Sequence, residues 1–186
     1  QEVEVLQFLI GGDWNVDLAP LVCFPCGAGQ KVEQETRRAA QALSVSMRVC
    51  STARNGLYSW AAQKGIPALL LERGGNGRWT PEEVEADCED VLRLMNHLGI
   101  IKEDFNVIRQ TEISNAVYEE ATADGYWFPQ VCAGQEVLKD ALLGRWKSSD
   151  GTQSCEVRAR FAGRVLYETT ALGVRRNDPL VAYGTA

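Results

Sequence analysis

One stretch constrains this chain more than any other: Gly65-Ile66-Pro67-Ala68-Leu69-Leu70-Leu71-Glu72-Arg73-Gly74-Gly75-Asn76-Gly77, with the helix that follows it. A continuous apolar run of this length suits a strand covered on both faces, as in an α/β sheet. Glu72 closes the run, and glycines follow it. A carboxylate at the carboxyl end of a buried strand, beside a turn that other groups can approach closely, stands where α/β folds place their sites. The same glutamate would also serve to cap the strand or to pair with an arginine. The pattern alone does not choose between these roles.

The following helix is the best-defined element in the sequence. Thr80 is its N-cap, Pro81 takes the first helical position, and Glu83 completes a capping box. Val84, Cys88, Val91, Leu92, Met95 and Leu98 recur at helical spacing, which predicts one apolar side, and Gly99 is a natural stop. Glu82, Glu83 and Glu85 crowd the first turns, where the helix dipole favours negative charge. They read as a solvated helix start rather than as a metal cage.

Strands alternate with helices over the first part of the chain. Val3–Ile10 and the run 18–24 read as strands, Gln30–Leu43 as a helix, and Val45–Cys50 as a strand. Gly56–Lys64 reads as a short helix that turns Leu57, Trp60 and Ala61 inward. The alternation predicts an α/β domain with a largely parallel sheet. After about residue 105 short strands separated by glycines take over, with aromatics such as Trp127, Trp146 and Phe161, which predicts a small all-β barrel or sandwich. The division falls near 106–114, giving an α/β part over 1–108 and a small β domain over 109–186.

With 186 residues, 45% of them hydrophobic, the chain can bury a real core. Its net charge of −6 and the lack of a long basic run argue against nucleic acid or an anionic membrane as partner. No apolar stretch reaches spanning length and no signal-peptide pattern opens the sequence, so no membrane is expected. Six cysteines, single except for Cys23-Phe24-Pro25-Cys26, predict a reducing compartment with mostly buried thiols, hence the cytoplasm. The chain opens on Gln1 and runs almost at once into apolar residues. That start is expected to be a cut, a processing site or a split from a partner chain.

Three groups invite a chemical reading. Cys23-x-x-Cys26 has no second pair to complete a zinc site, and Pro25 sets it at a strand end rather than at the helix start that a redox pair uses. His97, the only histidine, falls on the last helical turn, where it can interact with the helix C-terminus and need do nothing else. Arg54-Asn55-Gly56 precedes the short helix with Tyr58 in its first turn. Arg54 could grip a carboxylate, and Tyr58 could donate to a developing oxyanion. An exposed arginine and a packed tyrosine fit the same residues. Gly74-Gly75-Asn76-Gly77 lacks the lysine ending of a phosphate loop and does not fit a dinucleotide fingerprint.

The run Gly65–Gly77, continued to Val91-Leu92-Arg93-Leu94-Met95-Asn96-His97-Leu98-Gly99, resembles the succinylglutamate desuccinylase/aspartoacylase family. So do Ser51–Ala62 upstream, Gly11-Gly12-Asp13 followed by Leu18–Val22, and in the β part Asp124–Pro129, Gly134–Val137, Leu142–Gly144 and Leu180–Gly184. The resemblance covers nearly the whole chain. It implies the C-terminal part of a carboxypeptidase-like α/β/α domain, then the family's small β domain. It also implies zinc-dependent deacylation, with Glu72 as general base on the attacking water and Arg54, Tyr58 and Asn76 as substrate contacts.

The departures carry equal weight. The family's early His-x-x-Glu pair has no counterpart in this chain, and Phe8-Leu9-Ile10 stands where the family has Asp-Leu-His. Ile10 cannot ligate a metal. The upstream Asn/Arg substrate motif is missing as well. The resemblance therefore implies no metal and no cofactor in this chain, zinc on a partner chain, and a hetero-oligomer with that partner. The function expected is that of a component in a zinc-dependent deacylase-like enzyme, for amide hydrolysis or acyl transfer on an N-acyl amino acid or related small molecule, active only with a partner chain or a missing N-terminal half. The alternative is a non-catalytic pseudoenzyme subunit that scaffolds or regulates an active relative.

Overall fold

The computed structural model describes residues 6–11, as backbone, and residues 15–186. In chain order the elements are β1 (Leu6–Gly11), β2 (Val16–Leu18), β3 (Leu21–Pro25), α1 (Gln30–Ala42), β4 (Met47–Ser51), α2 (Leu57–Gln63), β5 (Ala68–Arg73), α3 (Pro81–His97), β6 (Thr111–Ile113), β7 (Asn115–Glu120), β8 (Gly125–Pro129), β9 (Glu136–Val137), β10 (Leu142–Ser148), β11 (Ser154–Arg158), β12 (Gly163–Thr169), β13 (Gly173–Val174) and β14 (Pro179–Thr185). The expected strand start at Val3, the Gly12-Asp13 turn and the side chain of Ile10 lie outside the described residues. Two compact units emerge: one holds β1, Pro20–Arg73 and Trp79–Ser114, and the other holds the β2 segment to Ala19, Gly74–Arg78 and Asn115–Ala186.

The first unit is a mixed α/β layer. Its sheet runs β1-β5-β3-β4-β6. The β1–β5, β3–β4 and β4–β6 pairs are parallel, and β3–β5 is antiparallel. Successive side chains of a strand point to opposite faces. Leu69 and Leu71 accordingly join Val22 and Phe24 in a core closed by Ala39, Ala40 and Leu43 of the α1 region and by Leu94 of α3. Arg73 points the same way and is buried. It donates to Asp90 at 2.9 Å and also pairs with Asp87, both on α3. Asp90 is fully buried and accepts a further bond from the Ser44 amide. At the other edge Glu112 on β6 pairs with Arg37 and Arg48, and Gln110 donates to the carbonyls of Ala40 and Leu43 at the end of α1.

Helix α3 starts as its sequence predicts. Thr80 Oγ1 accepts from the Glu83 amide at 3.2 Å, and Glu83 Oε2 accepts from the Thr80 amide at 2.8 Å. Which side it buries differs from expectation. Asp90, Arg93 and Leu94 are buried, whereas Val84, Cys88, Val91 and Leu92 are exposed. The ion pair with Arg73 turns the helix so that its polar inner residues face the sheet. Helix α2 departs in the same manner: Tyr58, Ser59 and Ala62 are buried, while Leu57 and Trp60 are exposed.

The second unit is all-β. Sheets β11-β10-β8-β13 and β2-β12-β14-β7 are antiparallel throughout, with β9 added beside β12. Their inner faces share one core that includes Trp127, Leu143 and Trp146 from the first sheet and Val165, Val181 and Tyr183 from the second. Gly144 is required there, since a Cβ would lie 2.3 Å from the Trp127 ring.

One buried carboxyl in this unit carries a pH signature. Glu168 faces Asp17 in the β12–β2 register, and its Oε2 is buried with no hydrogen-bond partner among the described residues. Burial, and then the Asp17 charge, push it from the ordinary 4.5 to about 7. The folded state thus holds a proton that the unfolded chain releases, so stability falls as pH rises from the ordinary carboxylate range to about 7 and then levels. Glu168→Gln should unfold at a higher temperature than the parent at pH 8, with the gap closing by about pH 5. A pH-independent difference in thermal melts would contradict this. Asp90→Ala, which strips Arg73 of a fully buried partner, should cost on the order of 3 kcal/mol in denaturant unfolding.

Candidate functional site

Glu72 stands at the carboxyl end of β5, next to Arg73 in sequence and on the opposite face of the sheet. Its register partners are Ile10 on parallel β1 and Leu21 on antiparallel β3. Leu21 pairs with Met47 of β4, and Leu21, Met47 and Val49 are buried. The carboxyl group therefore sits on an apolar sheet face, and it is half-buried. Burial holds its proton affinity above the ordinary glutamate range. Cys23, two residues along β3 on the same face, is buried, and its thiol is pushed far up by burial and then by the Glu72 charge. A carboxyl group at a strand end whose proton affinity is raised by burial is suited to take up and return a proton.

The other residues singled out by sequence lie elsewhere. Arg54 is exposed in the loop after β4, with its carbonyl accepting from Gln63 Nε2 at 3.1 Å. Tyr58 is buried, its hydroxyl 2.5 Å from Ser51 Oγ. Ser51 pairs with Pro25, whereas Glu72 pairs with Leu21 at the start of the same strand. Four residues of β3 separate the two levels, about 13 Å at strand rise. Because β3 and β5 are antiparallel, the β4 loop and Glu72 fall at opposite ends of the sheet.

Asn76 belongs to the β unit. Its amide donates to the Val16 carbonyl at 2.8 Å, its Oδ1 accepts from Thr170 Oγ1, and its φ is 55°. The glycines around it serve the same packing, since a Cβ at Gly75 would lie 2.9 Å from the Val16 carbonyl oxygen. What approaches this turn closely is backbone.

The cysteines differ from expectation. Cys26 forms a disulfide with Cys50, joining the ends of β3 and β4. Of the free thiols Cys23 is buried, while Cys88, Cys132 and Cys155 are exposed. The expectation of mostly buried thiols is therefore corrected, and with it goes the cysteine argument for a reducing compartment. His97 is exposed on the last turn of α3, and partial desolvation, then Arg38, lower its pKa. It lines a cavity of about 350 Å³ with Arg93, Asn96, Phe105 and Asn106, apart from Glu72. Among the described residues no group of three or more His, Cys, Asp and Glu side chains could hold a metal, so the residues around Glu72 do not fit one. No described helix is long and apolar enough to cross a membrane.

No protein-family model and no curated protein matches this chain. Solved structures do. The product-bound ectoine utilization protein EutE (DoeB) of Ruegeria pomeroyi superposes with a TM-score of 0.83 and 19% identity, over 97% of this chain and 57% of that one. The fold is that of the succinylglutamate desuccinylase/aspartoacylase family. A succinylglutamate desuccinylase from a Silicibacter species gives a TM-score of 0.79 at 19% identity, covering 98% of this chain and 58% of its own. A succinylglutamate desuccinylase/aspartoacylase from Rhodobacter sphaeroides gives 0.78 at 21% identity, with 98% and 58% covered. The chain thus spans 57–58% of the length of these desuccinylase-fold neighbours.

The Glu72 geometry is directly measurable. In a carboxyl-carbon NMR titration its midpoint should lie above the free-glutamate value of about 4.3. A midpoint at or below that value would remove the case for a proton-transfer role.

Proposed function

We propose that this chain is a component of a deacylase-like enzyme that hydrolyses or transfers the acyl group of an N-acyl amino acid or related small molecule, and that it works with a partner chain or with an N-terminal half that precedes these residues. The observation that carries the reading is Glu72: a carboxyl at the end of a central strand, with proton affinity raised by burial, in the desuccinylase/aspartoacylase fold. Its role is general-base catalysis. Glu72 takes a proton from the water that attacks the amide carbonyl and returns it to the departing nitrogen. The proposal rests on Glu72 alone and assigns no step to Arg54, Tyr58 or Asn76.

Ile10, beside Glu72 in the β1–β5 register, offers no ligating atom. Zinc, which the sequence resemblance implies for the assembly, would be held by a partner chain or by a preceding N-terminal half, and no step assigned to these residues runs through it. Ile10 equally favours a second reading, in which the chain is a non-catalytic subunit that supports an active relative.

Metal content and mutation separate the readings. The isolated chain should carry far less than one zinc per chain by elemental analysis. In the purified assembly Glu72→Gln should lower kcat by about 10²- to 10⁴-fold. Unchanged activity would abandon the general-base role and leave the scaffold reading, while stoichiometric tight zinc on the isolated chain would contradict the division of labour.

A further inference from the structure

Glu72 and Arg73 are neighbours in sequence, opposite in charge and on opposite faces of the sheet. Arg73 is buried on the α3 side, where it donates to Asp90 at 2.9 Å and pairs with Asp87. Ser44 Oγ lies 3.4 Å from the same guanidinium, and the Ser44 amide donates to Asp90. Asp90 is fully buried and Asp87 is half-buried. Two carboxylates three residues apart on one helix, and hence on one side of it, thus close around one buried guanidinium.

The Glu72 carboxyl has no such company. Among the described residues of this unit it accepts no hydrogen bond and joins no ion pair. On its face β3 contributes Leu21 and Cys23, β4 adds Met47, and β1 brings Ile10 into register. Helix α2 packs on the same face toward the other end, with the Tyr58 hydroxyl on Ser51. The cations flanking α2, Arg54 and Lys64, are exposed, and both precede β5 at the end away from Glu72. The titratable groups described on this face are therefore Cys23 and Tyr58, and neither is a cation. Burial raises the proton affinity of Glu72, and no cation pulls it back.

An unmatched arginine beside a general base would hold that base ionised. We infer that Asp87 and Asp90 are positioning residues for Glu72: they hold Arg73 on the helix side of the sheet and cancel its charge there, which keeps the base on a face without a competing cation. This inference rests on the general-base reading of Glu72. Adjacent residues of a strand project to opposite faces, which sets the two charged groups on the order of 10 Å apart. At that distance and an effective dielectric constant of about 20, one unmatched charge moves a carboxyl midpoint by about one pH unit. Asp90 contributes more than Asp87, because Asp90 is shut off from solvent and Asp87 is not.

The test is the carboxyl-carbon titration of Glu72 in the folded chain, its resonance assigned by its loss in Glu72→Gln. Asp87→Asn with Asp90→Asn keeps the shape and the acceptor oxygens but leaves Arg73 unmatched, so the Glu72 midpoint should fall by about one pH unit. Adding Arg73→Met removes the unmatched charge and should bring the midpoint back toward the parent's. This triple variant leaves no buried charge unpaired and should fold. Asp87→Asn alone should give a smaller fall. In the active assembly the acid limb of the kcat profile should move to lower pH in the double variant and return in the triple one. Midpoints that do not move in the single and double variants would overturn the proposal. So would an equal fall in the triple variant, which would assign the effect to packing rather than charge. If the double variant does not fold, the single and triple variants make the same comparison. Midpoints that move as expected while Glu72→Gln leaves activity unchanged would sink the general-base reading and leave the charge balance standing.

Discussion

The buried contact of Arg73 with Asp87 and Asp90 orders much of the first unit. It joins the end of β5 to the middle of α3 across the sheet face that also buries Leu69 and Leu71. A guanidinium there tolerates little displacement, because losing a partner leaves a charge in a medium that solvates it poorly. Strand alternation then leaves one choice for the neighbouring residue. With Arg73 held toward α3, Glu72 must project from the opposite face, among Leu21, Met47 and Val49. The position of the candidate base and the orientation of the helix behind it thus follow from a single ionic contact.

That contact also explains what could and could not be read from the residues in order. The capping box at Thr80, the strand that ends near Glu72, and the change to short strands after residue 105 are local signals, and local geometry decides them. The side that α3 buries is not local. Its apolar spacing pointed to Val84, Val91 and Leu92 as inner residues, yet Arg73, on the preceding strand, makes the polar side the inner one. The grouping of Arg54 and Tyr58 with Glu72 failed to assemble because β3 and β5 run in opposite directions. Strand direction depends on chain crossings that periodicity does not record. The glycines of 74–77 were legible as a site of close approach, but their partner, the Val16 backbone, lies some sixty residues earlier.

The functional reading draws its force from a mismatch between what the chain retains and what it lacks. It keeps a carboxyl whose surroundings raise its proton affinity, and it shares its fold with proteins of which it spans 57–58%. Next to that carboxyl in register stands an isoleucine, and the described residues form no metal cage. A proton-transfer group without electrophilic help is a weak amide hydrolase by itself. The reading therefore concerns a division of labour between these residues and others, on a partner chain or on an N-terminal half that precedes them.

The interleaving of the two units bears on how this protein can be dissected. The β unit takes β2 from near the start of the chain and Gly74–Arg78 from its middle, while its remaining strands begin at Asn115. Strand β2 completes an edge of β12, and Gly75 bridges to Asp17 beside it. No single scission of the backbone releases this unit whole. A fragment beginning at Asn115 would leave one edge of β12 free at Tyr167–Thr169, a template for edge-to-edge association. Recombining the two units among homologous chains would require exchanging three segments together, which ties their inheritance more closely than a linear boundary suggests.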